Sequence, residues 1–267
     1  MKPDGIGIWI SMKNAPSNLT NSFSYQELAA LKDGHREGAC WFRADQKLLL
    51  ADFRARHDNT DVFTSICRFT RPDQDSAHVC DFYLAVRAAD LAIARDDILR
   101  ACELLMERLE MPPQCLDLAF TGSDGFDLVV PLKVFGQPAN PGMLVMWRAL
   151  AQRLAREGCN HADVSVYQPS GLLRLPNSID SKTGGYKVPL EYAELKDLGL
   201  DYVLELARQP REDDNMAIPE ECPKATWWFQ KAVIWSEIAR RRQWQSSRML
   251  RPPDHLSQVH GNVQSHS

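Results

Sequence analysis

Between residues 79 and 190 the hydrophobic pattern alternates between strand-like apolar runs and helical repeats. It predicts, in chain order, a strand at 79–86, a helix at 95–110, strands at 116–121 and 126–131, a helix at 140–157 and a strand at 163–167. The first helix has an apolar face that comprises Ile98, Cys102, Leu105 and Leu109. A β-α-β-β-α-β order of this kind, built from split β-α-β units, predicts an α+β class.

The N-terminal part, residues 1–78, is predicted to be an α/β segment of the same domain. Strand-like runs rich in β-branched and aromatic side chains occur at 7–10, 39–42 and 62–66. Ser24 and Glu27 stand three residues apart before an apolar run, which is the spacing of a capping box. The spacing therefore predicts a short helix over residues 24–31.

The rest of the chain divides at acidic, proline-containing stretches. We predict five parts: an N-terminal part at 1–78, a core at 79–209, a linker at 210–225, a Trp- and Arg-rich helix at 226–250 and a tail at 251–267. The tail is polar and its histidines have no repeating spacing, so we expect it to be disordered.

Composition excludes several classes of protein. The chain has 267 residues, 44% of them hydrophobic, with a net charge of −4 and a pI near 6.0. No global charge attracts nucleic acid, so such binding would need a local basic patch. No apolar run approaches the ~18 residues of a membrane span, and no signal peptide is recognised, so we expect a cytoplasmic protein without a membrane partner.

The seven scattered cysteines, without a Cys-x-x-Cys pair, are predicted to be reduced thiols.

Two loops of the core combine glycines, hydroxyl groups and basic side chains. One spans 121–127 (Thr-Gly-Ser-Asp-Gly-Phe-Asp) and the other spans 173–184. Such loops let backbone N–H groups approach an anion closely. The predicted phosphate or nucleic-acid contacts are Ser123, Arg174, Ser178 and Lys182. Asp127 and Asp180 contradict this chemistry, because they place negative charge in both loops.

The motif pattern resembles the archaeo-eukaryotic primase, or primase-polymerase, superfamily, in particular its bacterial and mobile-element members. Residues 121–131 are similar to the family's second motif, Ser/Thr-Gly-x-x-Gly-Phe-His-hydrophobic-Pro. Asp163 fits the third motif, an acid on the strand after the second helix. Residues 174–184 resemble the family's Arg-x-x-x-Ser-x-His-x-Lys-Thr-Gly stretch. The resemblance covers residues 79–190 and implies an RRM-like catalytic core with N-terminal strands and a helical C-terminal extension.

The resemblance also implies chemistry that this chain does not match. In the family, two divalent metals align a 3′-hydroxyl with a nucleotide α-phosphate. An Asp-x-Asp pair and a later acid bind the metals, and two histidines contact the triphosphate. Here the Asp-x-Asp pair falls on Ala85 and Arg87, and the histidines fall on Asp127 and Asp180. Asp81, the nearest acid, lies four residues before Ala85, roughly 13 Å away along a strand.

These departures predict a catalytically degenerate primase-polymerase-like protein. It would bind single-stranded or duplex nucleic acid, or a protein partner, in a replication, mobile-element or defence setting, and it would need no cofactor. The alternative is an active metal-dependent DNA primase or polymerase, with nucleotide and Mg²⁺ or Mn²⁺ at a rearranged site of Asp81, Asp127 and Asp163. Asp163 is the candidate metal ligand, because it is the family acid that the chain retains.

A second alternative is a protein-interaction subunit that docks through its C-terminal helix. Trp228 and Trp235 give this helix an apolar stripe suited to packing on a partner. The same tryptophans, beside the arginines at 240–242, also suit stacking on the bases of a nucleic acid. The sequence leaves the two interpretations open.

Overall fold

The computed structural model describes residues 24–33, 35–43, 45–136, 142–211 and 221–234. In chain order the elements are β1 (Tyr25–Lys32), β2 (His35–Arg43), α1 (Lys47–Arg56), β3 (Val62–Ser65), β4 (Cys67–Phe69), β5 (His78–Cys80), β6 (Phe82–Arg87), α2 (Leu91–Leu109), β7 (Asp117–Phe120), β8 (Gly125–Val130), α3 (Met143–Arg156), β9 (Ala162–Asp163), β10 (Leu172–Arg174), β11 (Val188–Leu190), α4 (Tyr192–Asp197), α5 (Gly199–Leu206) and α6 (described over 223–234). The strands form two antiparallel sheets, which confirms the α+β prediction.

The first sheet is built around β1. Leu28 of β1 opposes both Cys40 of β2 and Thr64 of β3, so β2 and β3 lie on opposite sides of β1. The order continues from β3 to β10 and, through β4, to β5. Helix α1 covers one face of this sheet, where Leu28, Phe42 and Phe53 belong to a small apolar cluster.

The second sheet has the order β11-β7-β8-β6-β9 and carries the main core. On β6, Phe82, Leu84 and Val86 are fully buried on the face that packs against α2 and α3. Trp147 of α3 is also fully buried, and its Nε1 donates a hydrogen bond to the Cys80 carbonyl, 3.1 Å away. The β-α-β-β-α-β order read from the sequence is therefore confirmed in β6, α2, β7, β8, α3 and β9.

The other face of the second sheet is polar. Because side chains alternate along a strand, Tyr83, Ala85 and Arg87 share the face opposite to the core. Ala85 opposes Asp127 of β8 on one side and Asp163 of β9 on the other. This polar face carries the residues of the candidate site.

Strand β10 connects the two halves of the molecule. Although β10 lies in sequence between β9 and β11 of the second sheet, Leu173 pairs with Thr64 and Arg174 pairs with Phe63 of the first sheet. The predicted boundary at residue 78 therefore does not separate the two sheets. Instead, β10 returns to the first sheet and brings Arg174 toward the polar face of the second.

The helix predicted over residues 24–31 is wrong, because this segment is strand β1. The Ser24 and Glu27 spacing suits a helix locally, but tertiary context decides the outcome. Strands pair with β1 on both sides, and Leu28, Ala29 and Ala30 are all buried. The strand thus satisfies more backbone groups and buries more apolar surface than an isolated helical turn.

Helix α6 begins at residue 223, within the stretch predicted as a linker. Phe229 is buried against Trp147 and Phe135, with ring centroids 5.2 Å and 5.9 Å apart. Trp228 also packs against the main core, while Trp227 is 60% exposed. The described part of α6 is therefore attached to the domain rather than separate from it.

Several predictions from the sequence fall outside the described residues. They concern the strand at 7–10, Trp235, the arginines at 240–242 and the tail at 251–267. Within the described ranges, no helix is both long and apolar enough to cross a membrane.

Candidate functional site

The two glycine-containing loops identified in the sequence lie against each other. Gly122 has φ +87°, a conformation that favours glycine, and a Cβ there would lie 2.5 Å from the Gly185 carbonyl oxygen. Thr183 Oγ1 donates to the Gly122 carbonyl at 2.7 Å. The contact therefore needs glycine at position 122 and brings the loop ends close to the polar face of the second sheet.

Asp127 is the centre of a buried ion-pair network on that face. Its side chain is 2% exposed and accepts hydrogen bonds from three groups. Lys187 Nζ lies 2.5 Å from Oδ2, while Arg87 Nη2 and the Tyr83 hydroxyl lie 2.6 Å and 2.8 Å from Oδ1. Two cations and a phenol therefore donate hydrogen bonds to this carboxylate, and the cations neutralise its charge.

The network shifts the proton affinities of its members. Burial alone would raise the pKa of Asp127, but Lys187 and Arg87 outweigh it and lower the pKa to about 2. Burial, together with the Asp127 charge, raises the pKa of Tyr83. Burial lowers the pKa of Lys187 against the opposing attraction of Asp127. At neutral pH, Asp127 is therefore an anion with bound counter-charges, which makes it a poor general base.

A second ion-pair group, carried by the first sheet, adjoins this network. Lys187 Nζ donates to the Arg174 carbonyl at 2.9 Å. The Arg174 guanidinium lies 2.8 Å from both Asp61 Oδ1 and Asp180 Oδ2, and its centre is 5.3 Å from the Phe63 ring centroid. Two carboxylates therefore share this guanidinium, which the sequence predicted to contact phosphate.

Asp180 stands where the motif pattern that the sequence resembles has its second histidine, and it organises its own loop. It is 3% exposed and accepts backbone N–H bonds from Lys182 at 2.9 Å and Thr183 at 3.3 Å. Burial alone would raise the pKa of Asp180, but Ser123, Arg174 and these amides lower it. Donors that could otherwise face a phosphate are therefore directed at a carboxylate of the chain itself.

The four predicted phosphate contacts have different environments. Ser178 is completely buried and donates to the Leu175 carbonyl at 2.8 Å, so it serves the local turn and does not face a ligand. Ser123 contacts Asp124 and Asp180, and Arg174 is shared by two carboxylates. The side chain of Lys182 is exposed. Only Lys182 among these four thus keeps a solvent-facing charge without an ion pair in the described structure.

The residues do not fit the two-metal centre that the resemblance implies. Ala85 stands between Asp127 and Asp163, so the strand supplies no ligand atom there. Arg87 brings a cation, and Asp127 is already paired with it. Asp163 accepts the Ser165 N–H at 2.8 Å. In the part of the chain that the structure describes, no group of three His, Cys, Asp or Glu side chains is arranged for a metal.

Asp81 is at the wrong end of β6 for the rearranged carboxylate site. Its Oδ1 accepts the Leu132 N–H at 2.8 Å and pairs with Arg68 at 3.1 Å. It directly precedes Phe82, which opposes Val130, whereas Asp127 opposes Ala85. The structure therefore brings Asp127 and Asp163 onto one row of the sheet and leaves Asp81 at the far end of β6.

The sequence interpretation missed three members of the network: Lys187, Tyr83 and Asp61. Lys187 had a weak signal, since a lysine directly before an apolar strand either projects to solvent or needs a buried anion. Its anion, Asp127, is 60 residues earlier in the chain. Neither spacing nor composition could connect the two residues.

No family model and no curated protein matches the chain. Solved structures similar to it include the polymerase domain of Mycobacterium tuberculosis ligase D in complex with DNA, with 19% identity over 71% of this chain and 83% of that chain and a TM-score of 0.46. The cyanophage S-2L primase-polymerase domain has 14% identity over 66% and 88%, with a TM-score of 0.43. The catalytic domain of the primase RepB′ in complex with initiator DNA has 16% identity over 85% and 95%, with a TM-score of 0.46. All three of these structures are primase or polymerase domains.

Proposed function

We propose that this chain is a primase-polymerase-like nucleic-acid-binding module that does not transfer nucleotides. The observation that carries the proposal is the threefold engagement of Asp127 by Lys187, Arg87 and Tyr83. Where the motif pattern calls for a histidine facing a triphosphate, the chain has a buried carboxylate with its own counter-charges.

Electrostatics favours this proposal over an active enzyme. A triphosphate at this face would meet the Asp127 and Asp180 carboxylates. One like-charge contact at 4 Å costs about 4 kcal/mol at an effective dielectric constant near 20. Lys187 and Arg174, which could offset that cost, are themselves paired with carboxylates. Releasing them would leave buried charges without partners, which costs several kcal/mol more.

Binding of nucleic acid requires fewer residues of this site than nucleotide transfer does. The exposed Lys182 stands on the loop that carries Asp180, and the Arg174 guanidinium lies over the Phe63 ring at the adjoining sheet. A cation and a half-buried aromatic ring suit a single strand, in which phosphates and base faces are both exposed. DNA is also present in two of the similar structures, so single-stranded DNA is the first probe.

A binding experiment tests the nucleic-acid part. We expect labelled single-stranded DNA to bind with an affinity that falls as salt rises, because phosphate contacts release counterions. Lys182→Glu should weaken binding about tenfold and reduce the salt slope by about one. Fluorescence anisotropy at several salt concentrations measures both. Lys196→Glu is the matched control, since Lys196 is an exposed lysine on α4 and the charge change is the same.

If Lys182→Glu and Lys196→Glu bind DNA as tightly as the wild type, the loop is not the contact surface. In that case the Trp-rich C-terminal helix becomes the candidate contact surface for DNA. Complete absence of DNA and RNA binding rejects the nucleic-acid proposal and favours the protein-interaction subunit.

A second experiment tests the absence of catalysis. With Mg²⁺ or Mn²⁺, nucleotides and a primed or unprimed template, we expect no extension or dinucleotide product above background, because Ala85 and Arg87 cannot bind a metal. Gel electrophoresis of labelled products measures this. Product that appears with the wild type and disappears in Asp163→Ala would establish the active enzyme with a rearranged carboxylate site.

A further inference from the structure

Among the described residues, strand β2 is a long edge strand of the first sheet. It pairs with β1 over eight registered positions, from Lys32–His35 to Tyr25–Arg43. Because β3 and β4 occupy the other side of β1, β2 has only one neighbouring strand among the described residues. Its outer N–H and C=O groups therefore line an edge of nine residues, considerably longer than the average strand.

The composition of β2 does not protect this edge. Soluble proteins usually blunt an exposed edge with proline, inward-pointing charge or a short strand. β2 has none of these along its centre, where the sequence is Gly38-Ala39-Cys40-Trp41-Phe42, although its ladder to β1 has a bulge at Glu37, directly before this run. Its charges stand toward the ends, with Glu37 on one side of this run and Arg43 on the other. An edge strand with an apolar centre and opposite charges at its two ends favours pairing with another strand.

Two-fold symmetry restricts how β2 could pair with its own copy. When the axis is perpendicular to an antiparallel ladder, one residue lies opposite its equivalent, and every other pair follows from that choice. With Cys40 at the axis, Glu37, the bulged residue beside Gly38, comes next to Arg43 of the second copy, and Arg43 comes next to Glu37 of that copy. The same register places Gly38 opposite Phe42 and Ala39 opposite Trp41, so small residues face large ones on both sides of the sheet.

The neighbouring symmetric registers are less complementary. An axis at Ala39 would place His35 opposite Arg43 and Glu37 opposite Trp41, which loses both ion pairs. An axis at Trp41 would place the Arg43 charge opposite Ala39. Only the Cys40-centred register pairs the two charges that flank the apolar run.

We propose that the chain forms a two-fold homodimer by antiparallel pairing of β2 with β2 of a second copy, centred on Cys40. The dimer joins two first sheets into one continuous sheet. Both charged residues are free for this role, because their present ion pairs are exposed: Glu37 to Lys32 at 3.5 Å and Arg43 to Asp45 at 3.2 Å. Such exposed pairs contribute little and are exchanged at small cost.

A charge-swap series tests the pairing. Light scattering coupled to size exclusion should give a mass twice the 30.3 kDa of the chain for the wild type. Glu37→Arg alone and Arg43→Glu alone each create two like-charge contacts per dimer and should raise the dimer dissociation constant about tenfold or more. The double variant E37R/R43E restores both pairs in reversed order and should restore the dimer.

A crosslink tests the register independently. Cys40 of the two copies would be directly opposite, a geometry that a disulfide can bridge with small adjustments. Mild oxidation with copper–phenanthroline should yield a covalent dimer on a non-reducing gel, and Cys40→Ser should yield none. Burial raises the pKa of the Cys40 thiol, so the reaction is run at alkaline pH. Cys115→Ser is the control, since that thiol is buried in the main core.

A wild type that stays monomeric at tens of micromolar protein overturns the proposal. A dimer that is unaffected by either single charge change, or that the double variant does not restore, means that the copies associate through another surface. Circular dichroism of each variant separates these results from misfolding.

Discussion

Asp127→Leu is expected to destabilise the fold by about 3–5 kcal/mol, because it leaves Lys187 and Arg87 as adjacent cations without their shared anion. Lys187 is 3% exposed and cannot reach water without opening the site. Urea denaturation followed by circular dichroism measures the free energy of unfolding. Asp163→Ala, on the same row of the sheet, is the comparison and should cost far less, because Asp163 is only half-buried and accepts the Ser165 N–H.

A double variant separates the ion pair from simple loss of packing. In D127L/K187M both buried charges are replaced by apolar groups, which often restores stability. Arg87 is one-third exposed and retains hydrogen bonds to the Val86 and Phe126 carbonyls, so it tolerates the change. We expect D127L/K187M to be more stable than D127L. If the double variant is no better, packing rather than charge explains the loss.

The same carboxylate gives the wild type a defined acid response. The pKa of Asp127 in the fold is about 2, below the ordinary value of 3.8. The group therefore adds stability above pH 3.8, about 2 kcal/mol, which is lost as the pH falls through 2. Denaturation profiles between pH 5 and pH 2 should be steeper for the wild type than for D127L/K187M.

Arg174→Ala is expected to have the second large effect, about 3 kcal/mol or more of lost stability. The guanidinium is 16% exposed and is shared by Asp61 and Asp180, so its removal leaves two buried carboxylates without a cation. Arg174→Lys keeps one charge but cannot engage both acids in the same fork geometry, and it should lie between Arg174→Ala and the wild type. Thermal or urea denaturation at pH 7 measures all three.

The pH dependence of this defect distinguishes its cause. If carboxylate charge destabilises Arg174→Ala, the deficit in stability relative to the wild type should shrink at acid pH, because Arg174 lowers the pKa of Asp180 and that contribution is lost as the pH falls. A deficit that is the same at pH 7 and pH 3 would assign the loss to packing on Phe63. Substitution of the exposed Lys182, by contrast, leaves no buried charge without a partner.

The second half of the fold was predictable because its pattern is local and regular. The apolar periodicity of α2 and the glycine turn between β7 and β8 place these elements without tertiary information. β1 was not predictable in this way, because Ser24 and Glu27 mimic a helix start and only pairing with β2 and β3 shows the strand. Helix α1 was also missed, since its sequence Lys-Leu-Leu-Leu-Ala-Asp-Phe-Arg-Ala-Arg has no clear apolar stripe.

The site was predictable as a set of substitutions but not as a network. The sequence shows that Ala85, Arg87 and Asp127 depart from the motif pattern, and each looks like an independent loss. The structure shows that Arg87 and Asp127 bind each other and that Lys187 completes the set. Arg87 and Lys187 balance the charge of Asp127 from positions 40 and 60 residues away in the chain. No sequence spacing predicts such pairs.

The return of β10 to the first sheet has a consequence for the order in which the chain folds during synthesis. Residues 63 and 174 are neighbours in the sheet but are separated by more than a third of the chain. The first sheet therefore lacks β10 until the whole β6–β9 segment has left the ribosome. We infer that β6–β9 and helices α2 and α3, whose contacts are more local, assemble first and act as the template on which the N-terminal strands are completed, with β11 joining the second sheet last.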